Sequence, residues 1–417
     1  MKVRHFGGII GYVIVGLLIT LLLVQVKDLI EQHPIGYRAK ILAYEFLQGL
    51  LRNVDENRLP VVVADIGQMP GGKPDQPTSR EELIKVVEAL SDKKPRAIAI
   101  DIDFSPNERG WQHINDPAFF DFCLKTKKEK NVPIFLGIYR TQREQPDTWL
   151  GLEKYKELAS SMVILRDTSR MPRWIQAEGV SEPLPTLSAV LAQSYRKTLP
   201  EPPKWLAWSL EMIEDSQSGS QVQPMPEFKD VYAMTLVNYS KLDTIKLEAQ
   251  PIKTAASVIE SGEKFYDRVV IIGDASHSLD KFVIPGRDMA VPGVLLHACA
   301  AYTFIKEPLY EFKHTIRVGL DLFISFIIIF AVALIRFLHA RDPNYLWHKR
   351  QRRFINIAVG FVLVTGALLV RLIGVMWLDF FLVMFALLLH PSIEGWLVAR
   401  VSRKRNQKPI ASQEHQA

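Results

Sequence analysis

The chain has 417 residues, a formal net charge of +6 and two cysteines, Cys123 and Cys299. Two thiols are too few for a disulfide framework or a zinc site, and whether they pair stays open. The positive balance requires no nucleic acid partner, because the basic surplus gathers in two short segments beside apolar runs, where membrane topology accounts for it.

The first element is an uncharged run at residues 6–26. At helical rise, about 20 apolar residues cover the ~30 Å hydrocarbon core, so the run reads as a transmembrane anchor at residues 1–26. A cleaved signal peptide competes with this reading, since Lys2 and Arg4 precede the run, but the run is long and ends without small residues at a cleavage site. Gly7 and Gly11 lie four apart, a spacing that lets two helices approach closely.

Residues 27–314 form one large polar segment, long enough for a domain with its own core, and no internal repeat divides it. Leu59-Pro60-Val61-Val62-Val63-Ala64-Asp65 reads as a buried strand. A capping box, Ser79-x-x-Glu82, then opens a helix through Leu83, Val86, Val87 and Leu90. Arg96-Ala97-Ile98-Ala99-Ile100-Asp101 is a second strand, and a strand, helix and strand in this order imply a right-handed crossover between parallel strands. Further continuous apolar strands at 132–139 and 269–273 predict an α/β domain with a mainly parallel sheet. Between residues 142 and 230 the chain is rich in proline, serine and charge. It reads as an irregular insertion packed on the core, with Trp149, Trp174, Trp205 and Trp208 burying a loop in preference to binding an apolar or sugar ligand.

Acids close these strands: Asp65 the first, Asp101 and Asp103 the second, and Asp274 the strand ending at Gly273. In an open parallel sheet, ligands bind beyond the carboxyl ends of the strands. The acids thus mark a candidate rim, and Asp101 and Asp103, two apart in extended chain, share a face. The alternative is that each acid caps the turn that follows its strand. Enzyme readings match poorly. Asp101-Ile102-Asp103-Phe104-Ser105 lacks the glycine and threonine of haloacid-dehalogenase-like phosphatases. Gly273-Asp274-Ala275-Ser276-His277 only loosely resembles a lipase-type serine motif.

His297 lies in the apolar run Val294-Leu295-Leu296-His297-Ala298-Cys299, which leads toward the second span. It reads as a hydrogen-bonded core residue, or as a reporter of external acidification, since its charge changes near neutral pH. Three more apolar runs follow, at 318–335, 354–370 and 380–398, and the short segment 371–379 demands a hairpin between the last two. Asp321, Arg371 and Asp379 read as water-facing ends. His390 and Glu394 are four apart on one face of the last span, with Pro391 between them, and ionisable residues inside a span are functional candidates. Interfacial placement, with the span ending earlier, is the competing reading.

Orientation follows from the loop 336–353, which carries Arg336, Arg341, Lys349, Arg350, Arg352 and Arg353 against the single acid Asp342. Such a loop stays in the cytoplasm. The tail at 400–417, with Arg400, Arg403, Lys404, Arg405 and Lys408, agrees. Both termini are then cytoplasmic and residues 27–314 extracytoplasmic, the periplasm in a Gram-negative cell. The basic clusters also attract anionic lipid headgroups.

An ordered string of motifs resembles a known family. Asn238-Tyr239, the helix Thr254-Ala255-Ala256-Ser257-Val258-Ile259-Glu260-Ser261-Gly262, then Tyr266-Asp267-Arg268-Val269-Val270-Ile271-Ile272-Gly273, Asp280-Lys281-Phe282-x-x-Pro285 and Val291-Pro292-Gly293-Val294-Leu295-Leu296-His297-Ala298 are similar to the CHASE domain, type 2. Ala64-Asp65-Ile66 and the strand from Pro95 to Phe104 resemble it too, so the likeness covers roughly residues 40 to 310. That family is an exterior sensory domain of bacterial receptors, and its membrane layout, one span before the sensor and three after, resembles the one read here at 315–399. The resemblance implies a sensor whose ligand-binding rim draws on Asp65, Asp101, Asp103, Asn238, Asp274, Asp280 and His297. It implies no metal, cofactor or catalytic residue. Family members continue into a cyclase or kinase, whereas only residues 400–417 follow the last span, so the expected output is a separate cytoplasmic effector. The expected protein is thus a multi-pass receptor of the bacterial inner membrane, acting as a homodimer on an unidentified exterior ligand or protein. A non-signalling envelope component that assembles a complex or pore is the alternative, and an exterior hydrolase the third reading.

Overall fold

The structure, a computed structural model, describes residues 13–19, 21–22, 26, 58–69, 78–107, 110–139, 148–165, 168–175, 183–197, 204–210, 234–260, 264–275, 281–284, 290–306 and 310–339, with 365–366, 369, 372 and 375–376. The chain forms two compact units. One comprises His33–Lys313 with Arg371–Met376, the other Met1–Gln32, His314–Val370 and Trp377–Ala417.

In the first unit the elements run β1 (Val61–Asp65), α1 (Arg80–Asp92), β2 (Ala97–Ile100), α2 (Asp116–Lys130), β3 (Ile134–Ile138) and β4 (Ala159–Ser161). They continue with β5 (Arg170–Pro172), β6 (Trp174–Ile175), β7 (Leu184–Pro185), α3 (Leu187–Arg196), β8 (Met234–Leu236), α4 (Leu242–Leu247), β9 (Gln250–Pro251) and α5 (Ala255–Glu260). The last are β10 (Val269–Gly273), β11 (Lys281–Val283), β12 (Ala290–Pro292), α6 (Gly293–Lys306), β13 (Tyr310–Glu311) and, far along the chain, β14 (Val375–Met376).

Six strands form one sheet in the order β4-β3-β2-β10-β1-β9, and every pairing in it is parallel. The reason lies in the strands themselves: β1, β2 and β10 are buried at every position, as parallel strands covered on both faces must be. Side chains alternate between two cores. Val62, Ala64, Ile98, Ile100, Val270 and Ile272 join Leu83, Val86, Val87 and Leu90 of α1 and Phe119, Phe120 and Cys123 of α2. On the other face α3 and α6 pack against each other, α3 against β2, β3 and β10, and α6 against β1 and β10. The result is a three-layer α/β/α domain. Ser79 caps α1 as its spacing predicts, accepting a hydrogen bond from the Glu82 amide. A buried ion pair, Arg80 Nε to Asp116 Oδ1 at 2.6 Å, ties α1 to α2, with the Arg80 guanidinium 4.4 Å above the Phe104 ring.

The structure refines the sequence reading. The strands that α1 connects are parallel but not neighbours, because β10 lies between them. Residues 142–230 are not simply irregular: they supply the edge strand β4 and the helix α3, capped by the Thr186 side chain. The cysteines form no disulfide, since α2 and α6 cover opposite faces of the sheet, and burial raises the pKa of the Cys123 thiol. The tryptophans also divide. Trp149 is fully buried and donates its indole N–H to the Phe104 carbonyl at 2.9 Å, whereas Trp205 and Trp208 are 67% and 65% exposed.

A second sheet has the order β14-β13-β8-β5. Its outermost pairing joins β13 to β14 in parallel, Tyr310 opposite Val375 and Glu311 opposite Met376. Part of the expected hairpin segment 371–379 is thereby built into the sheet of the α/β unit. Arg170 Nε donates to Glu311 Oε2 at 2.8 Å within the same sheet.

In the second unit, α7 (His314–His339) is the one helix among the described residues that is long and apolar enough to cross a membrane. It starts at His314, ahead of the apolar run read at 318–335. Residues 13–19, inside the first expected span, are also helical, and a Cβ on Gly16 would stand 2.7 Å from Ile329 Cδ1 of α7. Such contact needs a residue without a side chain. Asp321 is 1% exposed, so protein covers it, contrary to the water-facing end expected. The expected spans 354–370 and 380–398 lie largely outside the described residues, and His390 and Glu394 lie wholly so.

Candidate functional site

Successive crossovers leave the sheet toward opposite faces: α1 follows β1 on one face, whereas α6 closes the other after β10. The crevice beyond the carboxyl ends of β1, β10 and β2 is where such a sheet binds ligands. Asp65, Asp101 and Asp274 stand at these three ends.

Backbone groups already engage several of the expected rim residues. Asp65 Oδ1 accepts from the Gly67 amide at 3.0 Å and from the Ala275 amide at 2.9 Å, which ties the loop after β1 to the loop after β10. Asp103 Oδ1 accepts from the Ser105 amide at 2.9 Å and from the Ser105 hydroxyl. Asn238 Oδ1 accepts from the Ser240 amide at 2.9 Å, while its own amide donates to Thr303 Oγ1 of α6. These are local turn closures of the kind short polar side chains favour. Asp274 is half-buried beside them, and Asp280 lies outside the described residues.

Asp101 differs. Its carboxyl is 7% exposed, and Oδ1 is buried without a hydrogen bond. His297 Nε2 of α6 stands 3.9 Å from that oxygen. Burial of the carboxyl pushes its pKa up to about 7. The imidazole is enclosed as well: Nε2 lies 3.1 Å from the Met162 carbonyl oxygen, and Nδ1 lies 3.4 Å from Ser188 Oγ of α3. A carbonyl only accepts, so Nε2 carries a hydrogen and donates to Met162. Ser188 Oγ also donates to the His297 carbonyl at 3.1 Å. Rotation of that hydroxyl lets it either donate to a neutral Nδ1 or accept from a protonated one. Both ring nitrogens of His297 are thus engaged by groups other than Asp101.

Serine, histidine and aspartate together invite comparison with a nucleophilic triad, but the geometry does not fit one. Ser188 and His297 have no exposed surface, and 3.9 Å exceeds hydrogen-bond reach. Among the described residues, no group of three or more His, Cys, Asp or Glu is arranged to hold a metal ion.

Sequence reasoning found Asp101 and His297 separately and missed their contact, together with Met162, Ser188 and Gly273. A Cβ on Gly273 would lie 2.7 Å from Val294 Cγ2 and 3.1 Å from Asp101 Cβ. Only glycine lets α6 come so near the strand ends. The motif Val269-Val270-Ile271-Ile272-Gly273 was the available signal; a backbone carbonyl such as that of Met162 leaves none.

The family model described as the CHASE2 domain matches residues 14–336 of the chain. No curated protein and no solved structure matches it.

Proposed function

The chain belongs to the CHASE2 domain family of sensory domains, and on that premise we propose that it is a membrane-anchored receptor whose α/β domain detects an exterior ligand or partner at the strand-end crevice. The signal passes through α6 and the membrane helices to a separate cytoplasmic effector, and the receptor acts as a homodimer. One observation carries this reading: the buried Asp101–His297 contact links the crevice to α6, and in chain order α6 is followed by β13 and then by α7. Gly273 brings α6 against the strand ends, so a change at the rim is felt by the helix.

A ligand shifts such a receptor only if it binds one arrangement of α6 better than another. The buried Asp101 carboxyl, protonated or ionised 3.9 Å from His297, supplies two such arrangements. The pairing of β13 with β14 supports the proposed topology, because residues 375–376 share a sheet with the sensory domain and the charge of the loop 336–353 implies one side of the membrane for both.

The test is capture of the intact protein from detergent-solubilised membranes with crosslinking, followed by mass spectrometry. Recovery of a soluble kinase, cyclase or signalling adaptor is expected. Recovery of envelope proteins alone, with no cytoplasmic signalling partner, would replace the receptor with an envelope-assembly component.

A further inference from the structure

The 3-10 helix Lys204–Ser209 has two sides. Leu206 and Ser209 point inward at 5% and 1% exposure, and Leu210 after them has none, whereas Trp205 and Trp208 are 67% and 65% exposed. Residues three apart eclipse on a 3-10 helix, so the two indoles form one outward aromatic face. Exposed apolar surface that is contiguous, and not scattered, marks a site of interaction.

The position of this helix indicates what covers it. The Ser209 carbonyl accepts from the Lys313 amide at 2.8 Å, and Leu210 bridges Phe312 in antiparallel register. Lys313 is the residue before His314, the first of the candidate span. Across one strand spacing of about 5 Å and one Cα step of about 3.8 Å, the tryptophan helix is tethered to the point from which the span departs. Tryptophan is enriched at this level of a bilayer, where its ring sits in the acyl boundary and its N–H reaches the headgroups. Lys313 and Arg317 add positive charge at the same place in the chain, which suits anionic headgroups.

We infer that Trp205 and Trp208 dock the sensory domain onto the outer headgroup layer of the membrane that α7 crosses. Anchored there, the segment Phe312–Lys313 is held at a defined depth, and a displacement of α6 is delivered to α7 instead of being lost as tilting of the whole domain. The inference rests on the membrane reading of α7, and its test separates the two.

The full-length protein is reconstituted into vesicles of phosphatidylglycerol and phosphatidylethanolamine, with and without brominated acyl chains, and floated on a density gradient. Tryptophan emission of the wild type is compared with that of W205F/W208F, a conservative change at exposed positions, so that the other tryptophans cancel in the difference. The expected result is a difference signal quenched by brominated lipid and protected from aqueous iodide. Quenching by iodide with no effect of bromination overturns the inference. So does protection from both quenchers, which would mean that a second copy or another protein covers the face. Protein that fails to float removes the membrane reading, and this docking with it.

Discussion

A single carboxyl carries the sharpest expectation at the scale of residues. The Asp101 pKa is raised to about 7 from an ordinary 3.8, so between these pH values the folded domain keeps a proton that the unfolded chain has released. Stability contributed by this group is therefore fully present at low pH and falls as pH rises from about 4 to about 7. A shift of this size corresponds to at most about 4 kcal/mol. In Asp101→Asn, chemical unfolding measured from pH 4 to pH 8 is expected to lose this slope, and an unchanged slope would show that the carboxyl does not titrate there. His297→Gln keeps a donor toward Met162 and should fold with the slope retained, because burial is what raises the Asp101 pKa. Both residues are visible in the sequence, one as an acid after a strand, the other as a lone histidine in an apolar run. Their meeting is not visible, because β2 and α6 are far apart in the chain and only the crossing of α6 beneath the strand ends joins them.

Among the elements, legibility follows length and apolar continuity. β1, β2, β3 and β10 are runs of four or five residues with almost no polar interruption, and α1 announces itself by its cap and its buried face. β4, with the sequence Ala-Ser-Ser, and β13, two residues long, have no such pattern; neighbouring strands alone make them strands. The element most important to the proposed relay is α6, whose approach depends on Gly273. Substituting valine there sets a Cβ against Val294 and Asp101, and overpacking of this kind costs about 1–3 kcal/mol. Gly273→Val is expected to lower the unfolding midpoint and to raise hydrogen exchange in residues 293–306 more than in α1. Equal increases on both faces of the sheet would show that α6 does not pivot separately.

For the whole molecule, the decisive question is which side of the membrane each segment occupies. The proposed topology, read from charge in the loop 336–353, has both 27–314 and the hairpin segment 371–379 outside, and the β13–β14 ladder pairs Tyr310 with Val375 and Glu311 with Met376. In a parallel ladder, opposed residues are close enough for a disulfide to be tried, so Glu311→Cys with Met376→Cys is expected to crosslink under mild oxidation in intact cells. The native thiols of Cys123 and Cys299 are buried and should not compete. Failure of the double variant to crosslink, with each single cysteine open to external maleimide, would separate the hairpin from the domain. A cysteine at 376 labelled only after permeabilisation would invert the topology.

What the sequence determined by itself follows from short-range physics. Apolar runs specify strands, and the motif string from Asn238 to Ala298 identifies the family; neither needs a distant residue. What only the tertiary structure decided depends on contacts between segments far apart in the chain. Insertion of β10 between β1 and β2, enclosure of Asp101 by α6, use of Asp65, Asp103 and Asn238 by nearby amides, and exposure of Trp205 and Trp208 beside Trp149 buried to its last atom are all of this kind. Burial and partnership are properties of the folded neighbourhood, and identical residue types take opposite roles once packing has chosen their neighbours.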